Sequence, residues 1–196
     1  MKRSLRDQLR NDLKRIPPHQ RLARSLDACK NIISQPQYLH ADTIMAYLPM
    51  PTEVDTTYLI LRAWEEGKQV VVPKVVWKQH RIIPVEIDTL DSEQIALNRN
   101  VPEPAEGMPI PPSEIDLVVV PGLGFDRNGF RLGRGGGFYD RFLSDADLHA
   151  RLCGLAFQEQ IVDEIPREEH DMKVGLVCTD KRVYRIPRHL CHSAVG

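Results

Sequence analysis

The sequence contains few cysteines, almost no net charge and no long apolar run. Its four cysteines, Cys29, Cys153, Cys178 and Cys191, show no CxxC spacing, which predicts buried, reduced thiols. The formal net charge of −1 argues against a general nucleic-acid-binding protein. No stretch approaches the roughly 18 apolar residues that cross a bilayer. Because the basic N-terminus also lacks the apolar core of a secretory signal, we expect a cytoplasmic protein that binds neither nucleic acid nor membrane.

The C-terminus carries a short group of possible metal ligands, His189, Cys191 and His192. No second ligand group accompanies them, as a zinc site would require. The pattern therefore favours a flexible tail over residues 187–196.

The alternation of helical and strand patterns predicts a single α/β domain over residues 1–196. Apolar residues spaced by three or four predict N-terminal helices within residues 2–34, and "DTTYLILRAWEEGKQ" predicts a helix between two strands. Short β-branched segments predict the strands, namely "TIMAYLP", "QVVVPKV", "RIIPVEI", "IDLVVVP", "CGLAF", "VGLVCT" and "RVYRI". We therefore expect a Rossmann-like, three-layer fold with helices flanking a largely parallel sheet.

Three finer expectations concern the order of these elements. Pro84 predicts that "RIIPVEI" is an edge strand, because proline cannot donate to a neighbouring strand. The proline-rich residues 88–113 are expected to form a long surface connection. The segment "YDRFLSDADLHARL", residues 139–152, is expected to be helical.

Residues 121–143, "PGLGFDRNGFRLGRGGGFYDRFL", form what we call the glycine segment. It holds seven of the chain's twelve glycines, together with four arginines. It directly follows the predicted strand 115–121, and ligands of open α/β sheets bind at the carboxyl ends of strands. Neither the P-loop spacing GxxxxGK[ST] nor the dinucleotide spacing GxGxxG is present. The segment is thus expected to bind a ligand without belonging to either class.

The glycines in the second half of this segment suit an anion. Their N–H groups can approach a ligand closely, and Arg131 and Arg134 carry forked donors that match phosphate oxygens. A helix is expected to begin near Phe138, which places Asp140 in its first turn. There Asp140 could hold a magnesium ion or simply stabilise the helix end. The alternative for the glycines is a bulged hairpin.

Four segments then line up along the chain: "KRSLR" at 2–6, "YLPMPTEVDT" at 47–56, the glycine segment, and "EEHDMKV" at 168–174. With these segments the chain resembles the 5-formyltetrahydrofolate cyclo-ligase family, also called methenyltetrahydrofolate synthetase, from residue 2 to about residue 180. The resemblance implies a fold related to the sugar-phosphate isomerases and CoA transferases. It also implies an ATP- and Mg²⁺-dependent ligase that cyclises 5-formyltetrahydrofolate to 5,10-methenyltetrahydrofolate through a phosphorylated formyl intermediate.

The resemblance further implies roles for individual residues. It implies ATP contacts by Lys2, Arg3, Ser4, Leu5, Arg6, Arg131, Leu132, Gly133, Arg134, Gly135, Gly136, Gly137, Phe138 and Tyr139. It implies folate contacts by Leu48, Met50, Glu53, Arg134, Gly135, Gly136, Gly137 and Phe138. Arg134 and Tyr139 would be catalytic, and Asp140 would bind the metal. The implied partners are the two small substrates, and we expect a monomer.

Each of these roles has an ordinary structural alternative. Lys2 and Arg6 could lie on a solvated helix face, Leu48 and Met50 could belong to the core, and Tyr139 could pack the loop onto the sheet. At the level of the whole protein, the alternatives are a non-catalytic folate- or nucleotide-binding protein and an isomerase- or transferase-like enzyme with a carboxylate such as Glu114.

One position departs from the family pattern. Relatives often carry an aspartate shortly after the "HD" pair, where this chain has Gly175. Water, Asp171 or ATP itself would then have to complete the coordination of Mg²⁺. His170 and Asp171 could otherwise form a turn.

Overall fold

The structure is a computed structural model, and it describes residues 1–91, 94–168 and 171–187. The helices are α1 (Lys2–Arg15), α2 (Pro18–Ile33), α3 (Pro36–Leu39), α4 (Thr57–Glu65) and α5 (Phe138–Leu143). Pro18 occupies the first position of α2, where the missing N–H of a proline has no partner to lose. The two N-terminal helices therefore form as predicted, and Pro17 separates them.

The strands are β1 (Thr43–Met45), β2 (Gln69–Val76), β3 (Arg81–Glu86), β4 (Ile95–Asn98), β5 (Val101–Pro104), β6 (Leu117–Val120), β7 (Gly124–Asp126), β8 (Arg131–Leu132), β9 (Arg151–Ala156), β10 (Ile161–Val162), β11 (Leu176–Thr179) and β12 (Val183–Arg185). Seven of them form the central sheet, in the order β12-β11-β9-β6-β1-β2-β3. Its four inner pairings are parallel, and the outer pairings of β3 and β12 are antiparallel. The predicted α/β class and largely parallel sheet are confirmed.

Apolar residues cover both faces of this sheet because successive side chains of a strand point to opposite faces. In β6, Leu117 and Val119 pack on the face covered by α1, α2 and α4, whereas Val118 and Val120 pack on the other. That second face is covered by α5 and by loop residues such as Ile110 and Ile115. The flanking layers are therefore unequal, and the thinner one lies beside the glycine segment.

The strand predicted at residues 81–87 lies at the edge of the sheet, as Pro84 indicated. The prediction for residues 88–113 was wrong, because this region contains an antiparallel pair of strands, β4 and β5. Arg99 and Asn100 form the turn between them with φ angles of 52° and 64°. Such a turn is the usual two-residue hairpin connection, but arginine rarely adopts it. We call residues 95–104 the ribbon.

The helix predicted for residues 139–152 is shorter in the structure. α5 ends at Leu143, and a turn follows in which the Asp145 carboxylate accepts a hydrogen bond from the Asp147 N–H at 3.0 Å. Aspartate side chains compete with the helix for backbone donors in this way. The chain then enters β9 at Arg151.

The predicted buried thiols are found at Cys29, Cys153 and Cys178, which are all buried and unbridged. Cys191 lies outside the described residues, as do His170, His189, His192 and all but the first residue of the predicted tail. Within the described residues, no helix has both the length and the apolar character to cross a membrane.

Candidate active site

A cavity of about 150 Å³ opens at the carboxyl ends of β1 and β6. Its walls come from the loops after these two strands, from β2 and β3, from the ribbon and from the glycine segment. The lining residues are Tyr47, Leu48, Met50, Glu53, Pro73, Val75, Trp77, Ile82, Val101, Pro102, Pro121, Gly122, Arg131, Gly133, Arg134, Gly135, Gly136, Gly137, Phe138, Tyr139 and Asp140. Ordinary small-molecule pockets measure roughly 300–1,000 Å³, so the enclosed part would hold only a portion of a ligand such as folate.

The glycine segment has two parts with different structures. Its first half forms an antiparallel hairpin in which Phe125 pairs with Arg131. The bulged hairpin was the alternative for the glycines between residues 133 and 137, which lie outside this hairpin. The second half, residues 133–137, is a loop with positive φ at Gly135 (107°) and Gly137 (66°), followed by α5 from Phe138 as predicted. Gly122 of the first half also lines the cavity but is buried, whereas Gly135 and Gly136 of the second half are exposed, as anion binding by the backbone requires.

Glu53 and Arg134 meet across the mouth of the cavity. The Arg134 Nε and Nη2 lie 3.0 and 2.9 Å from Oε1 of Glu53. The other carboxylate oxygen of Glu53 accepts the Met50 N–H at 3.0 Å, and the Glu53 N–H donates to the Met50 carbonyl. These two hydrogen bonds fix the Glu53 side chain within its turn. Because the Glu53 side chain is only 9% exposed, it is a fixed acceptor at the cavity wall.

Arg131 and Asp140 form a second ion pair in the cavity wall. The Arg131 Nη2 lies 2.5 Å from Asp140 Oδ1, and its Nη1 donates to the Pro121 carbonyl at 3.2 Å. The arginine side chain is 5% exposed and that of Asp140 is 26% exposed. The sequence predicts that Arg131 binds phosphate and that Asp140 binds the metal, but in this structure each is the partner of the other.

Tyr139 has a hydroxyl without a partner. The hydroxyl oxygen is buried and makes no hydrogen bond to any residue that the structure describes, and the Arg131 guanidinium carbon lies 5.6 Å from the ring centroid. Burial raises the pKa of the Tyr139 phenol well above its usual range, and the nearby Glu53 charge adds to that rise. The phenol therefore stays protonated at neutral pH and can donate a hydrogen bond to a ligand in the cavity.

Helix α1 supports the glycine loop from below. The Arg6 Nε donates to the Gly133 carbonyl at 3.0 Å, and the Arg10 Nη2 contacts the Arg134 carbonyl at 3.4 Å. Lys2 instead reaches residue 171, with Nζ 2.8 Å from Asp171 Oδ2 and 3.2 Å from Glu168 Oε2. These contacts show that both basic residues have structural partners and are more than a solvated face.

The other residues of the N-terminal motif lie further from the cavity. Arg3 and Ser4 are exposed, and Leu5 packs against the core, so the structure does not bring these three into the cavity lining. Leu48 and Met50 do line the cavity; Leu48 is also 6% exposed and part of the core. Leu132 is buried in the hairpin strand β8.

The donors expected for Mg²⁺ fit the ion only in part. Mg²⁺ usually takes one or two carboxylates and completes its shell with water and substrate phosphates. Asp140 lines the cavity and has a second oxygen outside its contact with Arg131, so it suits that task. Asp171 does not, because its oxygens already accept Lys2 and the Glu168 N–H. Among the described residues, no three histidine, cysteine, aspartate or glutamate side chains cluster as a metal site.

Sequence reasoning missed the apolar wall of the cavity. Val75 and Trp77 line it from the end of β2, Ile82 lines it from β3, and Val101 and Pro102 reach it from the ribbon. The only local signal was the valine-rich run "VVVPKVVW", which predicts a strand but not which of its residues face a ligand. The position of the ribbon depends on contacts that are distant in sequence.

Contacts join the four motif segments, but among the described residues only the segments at 47–56 and 121–143 line the cavity, and Lys2, Arg6 and Asp171 lie outside its lining. Arg6 contacts the glycine loop, Glu53 pairs with Arg134, and Lys2 pairs with Asp171. Phe130 in the hairpin forms a β-bridge with Lys173, which ties the glycine segment to residues 171–174. Contacts therefore link segments up to 169 residues apart in the sequence.

Comparison with known proteins agrees with this convergence. Residues 1–180 match the model of the 5-formyltetrahydrofolate cyclo-ligase family. The chain is 36% identical to the mouse 5-formyltetrahydrofolate cyclo-ligase over 90% of this chain and 92% of that protein. It is 29% identical to the Escherichia coli K12 5-formyltetrahydrofolate cyclo-ligase, covering 90% and 98%. The NMR structure of Aquifex aeolicus 5,10-methenyltetrahydrofolate synthetase superposes with a TM-score of 0.80 at 28% identity, covering 94% and 92%. A Mycoplasma pneumoniae 5,10-methenyltetrahydrofolate synthetase shares the fold, with a TM-score of 0.74 at 22% identity, covering 91% and 98%.

Proposed function

Because the chain belongs to the 5-formyltetrahydrofolate cyclo-ligase family, we propose that it converts 5-formyltetrahydrofolate to 5,10-methenyltetrahydrofolate with ATP, releasing ADP and phosphate. One observation on this chain's own residues supports the proposal. Two of the family's motif segments line one cavity, where bare glycine backbone, Arg134, Tyr139 and Glu53 face the same space, and Arg6 of the N-terminal segment holds the glycine loop from outside the lining. A ligase needs such a site, since it must hold two substrates in contact.

The proposed chemistry has two steps. The formyl oxygen attacks the γ-phosphorus of ATP and ADP leaves, which gives a phosphorylated imidate. Nitrogen 10 of the folate then attacks the formyl carbon and loses its proton to water, and phosphate leaves with the former formyl oxygen as the ring closes. Phosphorylation makes a poor leaving oxygen a good one, so the protein acts mainly by positioning and charge stabilisation.

The glycine loop is the proposed binding site of the ATP phosphates. The N–H groups of residues 133–137 are accessible, and Arg134 is the cation beside them at the cavity mouth. Arg134 would stabilise the charge that develops on the transferred phosphoryl group, as forked arginine donors do. Lys2 and Arg6 would reach the nucleotide only after exchanging their present partners, Asp171 and the Gly133 carbonyl.

The folate is proposed to lie against the apolar wall, with its pterin at Glu53. A buried carboxylate can accept two hydrogen bonds from an aminopyrimidinone edge. Leu48 and Met50 would contact the flat ring, and the protonated Tyr139 hydroxyl would donate to a polar atom of the substrate. Asp140 is the proposed protein ligand of Mg²⁺, which would neutralise phosphate charge when bound.

A direct assay tests the function. The purified protein is mixed with 5-formyltetrahydrofolate, and the near-ultraviolet absorbance of the methenyl product is followed with and without Mg²⁺-ATP. We expect an absorbance rise that depends on ATP, with one ADP released for each methenyl group formed. A rise without ATP would instead indicate an isomerase- or transferase-like enzyme.

Binding without turnover would support a second class, a folate- or nucleotide-binding protein on the same scaffold. Calorimetric titration of each substrate separates this outcome from a protein that binds neither. We further propose that the protein acts as one domain and as a monomer in the cytoplasm, without nucleic acid or membrane partners; its net charge of −1 supports the last point.

A further inference from the structure

The ribbon forms the roof of the cavity. Val101 and Pro102 line the cavity directly, and strand β5 of the ribbon packs against β2. The turn at the tip of the ribbon consists of Arg99 and Asn100. The position of the roof therefore depends on what the ribbon touches below, at the end of β2.

Trp77 is the residue at that point, in a short 3₁₀ turn that follows β2. Its ring contacts Phe138 edge-to-face, with centroids 5.2 Å apart, and the Arg99 guanidinium carbon lies 4.8 Å from the ring centroid. Phe138 is the first residue of α5 and directly follows the glycine loop. Trp77 therefore touches the ribbon on one side and the start of α5 on the other, while it also lines the cavity.

Among the described residues, Trp77 and Glu103 each carry one buried polar atom that has no hydrogen bond of ordinary geometry. Glu103 is 5% exposed and lies on the ribbon, where its Oε2 has one long contact with Asn98 Nδ2 at 3.4 Å. Its Oε1 and the Trp77 Nε1 are both buried without a hydrogen bond of ordinary geometry. Burial raises the pKa of Glu103, and the Trp77 indole is near enough to oppose that rise. An indole donor and a carboxylate acceptor thus lie close together without a hydrogen bond of ordinary geometry between them, a costly arrangement for buried groups.

We propose that Trp77 is a positioning residue for the reaction. When folate binds, the ribbon moves onto it, and the Trp77 indole N–H then donates a hydrogen bond to Glu103. This bond fixes Phe138 against the substrate. This inference rests on the proposed function, because the folate is the ligand that the roof covers. The bond would form only in the complex, so its energy contributes to folate binding. It would also hold the glycine loop, through Phe138, in one position relative to the folate.

Kinetics of matched variants test this role. Trp77→Phe keeps an aromatic ring but removes the N–H, and we expect a roughly fivefold higher KM for 5-formyltetrahydrofolate with kcat within twofold, since one bond formed on binding is lost. Trp77→Leu also removes the ring contact with Phe138, so kcat should fall as well. Glu103→Gln keeps an acceptor at Oε1 and should retain a KM close to that of the wild type, whereas Glu103→Leu should match Trp77→Phe.

The control is Trp64→Phe, the same substitution at the chain's other tryptophan, which packs on α4 against the core. It should keep the wild-type kinetic constants. Unchanged KM and kcat in Trp77→Phe, together with a lower melting temperature, would mean a purely structural role and would overturn the inference.

A spectroscopic test does not depend on turnover. The two indole N–H groups give separate ¹H–¹⁵N resonances, and Trp64→Phe assigns them. Adding 5-formyltetrahydrofolate without ATP should move the Trp77 indole proton downfield and slow its exchange with solvent, in the wild type but not in Glu103→Leu. If the wild type turns over yet its indole resonance stays unchanged at saturating folate, the inference fails while the function stands. If the wild type neither binds folate nor turns over, the proposed function fails first.

Discussion

Gly124 and Gly129 lie in the first half of the glycine segment, where the chain is buried, whereas Gly135 and Gly136 lie in the second half, where it is exposed. A Cβ at Gly124 would approach Leu9 Cδ1 to 2.7 Å, and one at Gly129 would approach the Val174 carbonyl to 2.5 Å. A Cβ at Gly135 would meet nothing closer than Arg6 Cζ, 3.8 Å away. The first half thus requires glycine for packing, and the second half for backbone exposed to a ligand.

The two halves also use their aspartates differently. Asp126 is 1% exposed, and its carboxylate accepts the N–H groups of Asn128, Phe130 and Ile165. Asp140 lies at the cavity and pairs with Arg131. A motif read as one functional loop therefore combines a structural hairpin with a binding loop. Counting its glycines and charges overstates how much of it contacts ligands.

The largest expected effect lies in the second half. Arg134→Ala should lower turnover by roughly a hundred- to a thousandfold, since it removes the donor that stabilises transferred phosphoryl charge. Its stability should change by about 1 kcal/mol or less, because the pair with Glu53 is partly solvated. Steady-state kinetics and chemical denaturation measure the two effects. Arg127→Ala, at an exposed arginine of the hairpin turn, is the control and should retain full activity.

Substitutions in the first half of the glycine segment should instead lower the free energy of unfolding. Gly129→Ala places a Cβ against the Val174 carbonyl at a φ of 86°, so we expect the free energy of unfolding to fall by about 2–4 kcal/mol. Gly136→Ala is the matched change in the second half. There the closest atom is a Phe138 ring carbon at 2.8 Å, which can move, so the loss should stay below about 1 kcal/mol. Equal losses in the two variants, measured by urea denaturation, would show that the two halves do not differ in their need of glycine for packing.

A smaller effect is expected at the aspartates. Asp140→Asn should raise the Mg²⁺ concentration needed for half-maximal activity roughly tenfold, because a carboxylate ligand becomes neutral. The amide oxygen can still accept from Arg131, which should preserve the fold. Asp126→Asn should destabilise the protein and leave the Mg²⁺ requirement of the folded enzyme unchanged. A normal requirement in Asp140→Asn would show that Asp140 serves only as the partner of Arg131.

Local patterns predicted the fold well where structure depends on neighbouring residues. The apolar run at 115–121 gave the central strand β6, and the start of α5 at Phe138 was also predicted. The ribbon was missed because Arg99 adopts a turn conformation that its residue type does not suggest. The same limit applies to the site, since nothing local indicates that Glu53 pairs with a residue 81 positions away.

The pair between Glu53 and Arg134 also has a consequence for the order of events. Oε1 of Glu53 accepts both arginine donors, while Oε2 accepts the Met50 N–H. With the roles proposed above, a pterin arriving at Glu53 competes with Arg134 and releases the guanidinium toward a phosphate. Glu53 thus exchanges Arg134 for the pterin, and Arg134 exchanges Glu53 for a phosphate of ATP. By linkage, each substrate should therefore tighten the binding of the other. Titration of a non-hydrolysable ATP analogue with and without folate measures that coupling.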